Sequence, residues 1–134
     1  MQQIKVYENG IHMVWEIDEE NCLKLLHFSA LPFQEEEIDG ECAKVGFRFV
    51  ELQLSGYDRP HERHGNKYIV TAPGYRLKYV SHRDERNENG RLLVFTLRDE
   101  VTDVYVDAYV QFFDGISIIR CYQLIRNEGK ETQT

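Results

Sequence analysis

Four residues of this chain have types suited to holding a sugar: Trp15, Tyr57, Asp58 and Arg59. An exposed aromatic ring stacks on the apolar C–H face of a pyranose, while a carboxylate or guanidinium takes the hydroxyls. Tyr57-Asp58-Arg59 supplies all three groups in consecutive positions, and Trp15 is the single tryptophan. These four are the candidate carbohydrate contacts. The plainer alternative is that Trp15 belongs to a core. Tyr105, Asp107 and Tyr109 share one strand face, which by the same reasoning meets solvent or another domain.

Other chemistries fare worse. His61-Glu62-Arg63-His64 sets two histidines three apart in a polar loop. A helical zinc motif needs a spacing of four with the Glu between, and a third ligand is missing. The acidic run from Gln34 to Ala43 lacks the oxygen-ligand order of a calcium loop and reads as solvated. No serine lies in a Gly-x-Ser-x-Gly turn, and the nine glycines are scattered rather than gathered into a phosphate cradle. Sugar mutarotation would need a histidine and a carboxylate in one pocket, such as His82 with Glu51 or Asp107. Nothing in the spacing joins them. No catalytic residue, metal or cofactor is assigned.

The elements that must position these residues are strands. Val104, Val106, Ala108, Val110 and Phe112 alternate with Tyr105, Asp107, Tyr109 and Gln111. A period of two marks a half-buried strand. Asp114-Gly115 then turns the chain into an apolar run from Ile116 to Ile125, which predicts a hairpin. Further strands are predicted over 4–7, 11–17, 23–28, 44–54, 68–71, 76–82 and 91–97, about nine in all. Asn9-Gly10, Pro73-Gly74 and Asn89-Gly90 are the turn signals, the last expected in a primed turn. In 44–54 the parity changes between Phe49 and Val50, which predicts a bulge or a switch of buried face. No window sustains helical spacing. The expected fold is an all-β antiparallel sandwich over residues 1–126, followed by a polar tail, 127–134, expected to fray.

Composition bounds the function. In 134 residues, 42% hydrophobic and 29% charged, there is room for one domain with a real core. Lys and Arg number 16 against 23 Asp and Glu, so the formal charge is −7. That balance opposes nucleic acid and anionic membranes as partners. The odd, scattered set Cys22, Cys42 and Cys121 reads as reduced thiols of a cytoplasmic protein.

From Tyr75 onward a family pattern enters. Leu77, Tyr79 and His82 form a Leu-x-Tyr-x-x-His strand, and Thr96, Leu97 and Asp99 a Thr-Leu-x-Asp strand end. An aromatic strand at Tyr105 and Tyr109, Ile119-Arg120, and Asn127-Glu128-Gly129 follow in order. Over residues 44–130 this order resembles the amino-terminal domain of family 36 glycoside hydrolases, the bacterial α-galactosidases. Gly56-Tyr57-Asp58-Arg59-Pro60 is shorter than, and reordered from, the family's Gly-Asp-aromatic-Arg-x-Pro segment.

The resemblance implies a β-supersandwich similar to the galactose mutarotase fold, whole or in part, preceding a (β/α)8 barrel that carries two catalytic aspartates. A retaining mechanism sets two carboxyls about 5 Å apart. Such a barrel needs about 250 residues, so the resemblance implies that the catalytic machinery lies elsewhere in a longer polypeptide. The expected partners are that barrel, further copies of the chain and a galactoside. A free-standing carbohydrate-binding module is the alternative.

Overall fold

The computed structural model describes residues 2–35, 48–52, 54–55 and 72–134. Among the described residues, seven strands form two antiparallel sheets. The smaller contains β1 (Gln2–Glu8), β2 (Ile11–Ile17) and β3 (Leu23–Ser29) in that order. The larger contains β4 (Leu77–Arg86), β5 (Arg91–Asp99), β6 (Val104–Phe113) and β7 (Ile116–Asn127), also in chain order. Neighbouring strands are thus joined by hairpins. A strand with one apolar face must bury it, and here each sheet buries its own against the other.

The core follows the period-two pattern. Ile11, Met13, Trp15 and Ile17 of β2 face Leu93, Phe95 and Leu97 of β5 and the even-numbered apolar side chains of β6 in one buried cluster. Phe95, Val106, Val110 and Phe112 are wholly excluded from solvent. At about 25 cal/mol per Å2 of apolar surface removed from water, this cluster is the main force holding the sheets together.

Local chemistry fixes the turns. Asn9 and Gly10 both have positive φ, 52° and 82°, the type I′ geometry whose twist matches a two-residue hairpin. Gly90 has a φ of 149°, and a Cβ there would sit 2.7 Å from the Phe112 carbonyl oxygen. Asn89 keeps a negative φ, so this turn is not the primed one expected. It is closed by the Asn87 side chain, which accepts from the Asn89 and Gly90 amides at 3.0 and 3.1 Å. Three hairpin tips meet at this end of the sandwich. Asn9 Nδ2 donates to the Phe113 carbonyl at 2.8 Å, Ser117 Oγ donates to the Asn9 carbonyl, and the Asp114 amide donates to the Asn89 carbonyl at 2.9 Å.

Two expectations are corrected. Pro73-Gly74 does not open a strand: residues Ala72–Arg76 wind one helical turn, α1, and β4 starts at Leu77. Proline suits a first helical turn, and Arg76 anchors the turn by a bidentate pair to buried Asp99, with both distances 3.0 Å. In residues 48–52 and 54–55, Val50, Leu52 and Leu54 are buried as their alternation predicts. Phe49 also packs on the core, so the chain changes its buried face there. Among the described residues of the expected 44–54 strand, pairing is the single bridge of Arg48 to Lys24, and residues 44–47 and 53 lie outside them. The strand expected at 68–71 and most of the acidic run lie outside the described residues.

The polar tail folds back on the molecule. The Glu128 amide donates to the Asp103 carbonyl, the Ser55 amide donates to the Thr134 carbonyl, and Asn127 Nδ2 donates to the Glu131 carbonyl. Among the described residues no helix is long and apolar enough to cross a membrane.

Candidate functional site

Trp15 lies on the inward parity of β2, paired with Ile4 on one side and Leu25 on the other. It is fully buried, 4.9 Å from the Phe95 ring and edge-on to Phe49 at 5.9 Å. No ring face reaches solvent, so Trp15 cannot stack on a sugar as proposed from its type. The indole joins the two sheets instead. Its Nε1 is buried without a hydrogen-bond partner, a penalty of about 1–3 kcal/mol that the surrounding aromatic packing must offset. Tyr57, Asp58 and Arg59 lie outside the described residues, as do His61, His64 and Cys42.

The mutarotase-like pairing of His82 with Asp107 fails on geometry. A bulge at Val80 shifts the β4 register, which brings His82 opposite Phe95 on the inner face. His82 Nδ1 shares a 2.6 Å hydrogen bond with the Tyr79 hydroxyl, whose pKa is pushed up by burial. Asp107 is paired with Thr96, one position along β5 from Phe95, and therefore projects from the opposite face of the sheet.

That outer face carries a grouping of polar and aromatic side chains. Asp107 accepts from Thr96 Oγ1 at 2.8 Å and from Arg126 Nε at 3.0 Å. Arg126 and Arg98 both lie over the Tyr105 ring, at 4.9 and 5.6 Å. Their carboxylate partners, Asp107 and Asp103, hold the two guanidinium pKa values above the ordinary one. Tyr109 and Tyr122 are cross-strand neighbours whose rings stack at 4.6 Å and 10°, with Arg120 over Tyr122 at 5.2 Å. Sequence reasoning put Tyr105, Asp107 and Tyr109 on one face but missed Tyr122, Arg120 and Arg126. Counting the β6–β7 register outward from Asp114-Gly115 is the signal that finds them.

Chemically, this face is self-satisfied. A sugar platform needs an aromatic face free to stack, whereas each tyrosine here already has an aromatic or cationic neighbour. Arg126 is paired with Asp107 and Arg98 with Asp103. Two concavities among the described residues are small and shallow, one of about 240 Å3 beside Lys5, Tyr7, His12 and Phe33, and one of about 350 Å3 between Val101–Asp103 and the tail. The first is below, and the second near the bottom of, the usual range for ligand pockets, about 300–1,000 Å3. Among the described residues no three His, Cys, Asp or Glu side chains gather as metal ligands.

Neither a protein-family model nor a curated protein sequence matches the chain. Among solved structures it is similar to a GH36 α-galactosidase, AgaA, of Geobacillus stearothermophilus, a doubly substituted variant in complex with raffinose. The TM-score is 0.62 at 12% sequence identity, over 96% of this chain and 22% of that one. At that identity the likeness is one of fold. The antiparallel sandwich read from the strand motifs is thus an architecture found within a family 36 glycoside hydrolase, where it makes up about a fifth of the enzyme's chain.

Proposed function

We propose that this chain is a non-catalytic β-sandwich domain of an α-galactosidase-like glycoside hydrolase. In that role it packs on a catalytic (β/α)8 barrel and shapes the rim of the substrate cleft. The observation that carries the reading is the asymmetry of the fold match: nearly all of this chain corresponds to a small part of an α-galactosidase chain. The chemistry of the described residues agrees with it. The titratable side chains weighed for chemistry are engaged in hydrogen-bonded pairs, Asp107 with Arg126 and His82 with Tyr79.

Two measurements test the proposal. Incubated with raffinose, melibiose or an aryl α-galactoside, the chain should release no galactose above the rate of buffer alone; steady turnover overturns the non-catalytic role. Calorimetric titration with the same sugars should give no heat of binding. Saturable binding that disappears in Tyr57→Ala would replace this reading with a free-standing carbohydrate-binding module.

A further inference from the structure

β7 is the longest described strand, with 12 residues, and it ends the larger sheet. Its apolar side chains lie open on both faces: Ile118 is 57% exposed, Leu124 50% and Ile125 61%. The opposite edge of the same sheet, β4, is protected in the usual ways. It carries Lys78, Arg83, Asp84, Glu85 and Arg86 and is bulged at Val80. β7 has two arginines, no Lys, no Pro, and an unbroken register with β6 from Ile119 to Asn127.

We propose that β7 pairs antiparallel with β7 of a second copy of this chain, with the two-fold axis at Cys121, joining two four-stranded sheets into one of eight. The register follows from the sequence of the strand. A two-fold axis normal to the sheet pairs residues of the same face, so it must pass through a residue position. At Cys121 it sets Ile118 opposite the partner's Leu124 and Arg120 opposite the partner's Tyr122, giving two apolar and two cation–π pairs. Arg126 falls opposite the partner's Ile116. Moving the axis to Gln123 brings Arg120 against the partner's Arg126, and moving it to Arg120 sets that residue on its own copy; like charges directly opposed destabilise a sheet. An axis at Tyr122 sets Ile118 against the partner's Arg126 and loses both cation–π pairs. The contact is isologous and closes at two copies. This inference stands apart from the glycosidase reading.

Light scattering on the full chain at about 100 μM tests it. The expected mass is twice 15.9 kDa. Ile118→Lys and Leu124→Lys should each weaken association at least tenfold with an unchanged far-UV circular dichroism spectrum. Tyr7→Lys, on the exposed edge strand of the other sheet, should leave association as it is. Cα atoms opposed across an antiparallel pair are about 4.5–5.5 Å apart, within disulfide range. Mild oxidation of Cys22→Ser/Cys42→Ser should therefore trap a dimer through Cys121. A 15.9 kDa species throughout, or association indifferent to both lysines, overturns the proposal. A dimer that never cross-links through Cys121 overturns the register, and one lost in Tyr7→Lys assigns the contact to the smaller sheet.

Discussion

β6 and β7 are consecutive strands of one hairpin with similar apolar content, yet solvent treats them oppositely. Val104, Val106, Ala108, Val110 and Phe112 of β6 are at most 2% exposed, whereas no residue of β7 is fully buried and Ile125 is 61% exposed. Composition does not separate the two strands. Position does: β6 has neighbours on both sides and the smaller sheet above it, while β7 stands at the margin with a neighbour on one side. Hydrophobic pattern therefore identifies a strand but not how deeply the fold buries it.

Three measurements sharpen that contrast, beginning with the largest effect. Phe112→Ala, in the β6 interior, should lower unfolding stability by about 3–5 kcal/mol in denaturant titration. Leu124→Ala, on β7, should change it by about 0.5 kcal/mol or less at concentrations low enough to keep the chain monomeric. Equal losses would mean that β7 is covered in the free chain. The next effect concerns the support of β5 by α1. Burial alone would raise the pKa of Asp99, but the Arg76 guanidinium, the Thr102 hydroxyl and the Val101 amide hold it below the usual carboxylate value. Because the folded state binds that proton more weakly than the unfolded state does, the stabilisation is complete above about pH 4 and drains away as pH falls further. Asp99→Asn should flatten that acid limb, and an unchanged limb would assign it to other carboxylates. The last variant is at the β4–β5 turn. Gly90→Ala forces a Cβ towards the Phe112 carbonyl and should destabilise by about 1–3 kcal/mol in the same titration. A neutral result would show that the tip relaxes.

Much of this was legible in the sequence because it is local. The alternation of β6, the Asn9-Gly10 turn and the strand over Ile11–Ile17 follow from side-chain period and from which residues tolerate positive φ. The burial of Trp15 was legible in the same way, since it shares parity with Ile11, Met13 and Ile17. Its residue type pointed to a surface role, and period outweighed type. What was not legible depends on partners distant in the chain. α1 is anchored by Arg76 reaching Asp99, 23 positions away, and no local pattern carries that pair. The Tyr109–Tyr122 stack and the Asp107–Arg126 pair required the β6–β7 register, which a sequence leaves undetermined until the turn geometry is fixed. The fold match with AgaA rests on architecture, not on shared residues, at 12% identity.

The meeting of the three hairpin tips has a mechanical consequence. Asn9 grips the Phe113 carbonyl and receives Ser117, and Glu8 pairs with Arg86 beside them, so this corner ties the small sheet to the large one by uncharged groups, main-chain atoms and an ion pair. Sliding either sheet by one residue would break these bonds together, and of them only the ion pair weakens with salt. At the opposite end the Tyr79 amide donates to the Asn21 carbonyl at 2.9 Å and Asn21 Nδ2 donates to the Tyr79 carbonyl at 2.8 Å, so the two layers are doweled at both ends of the sandwich.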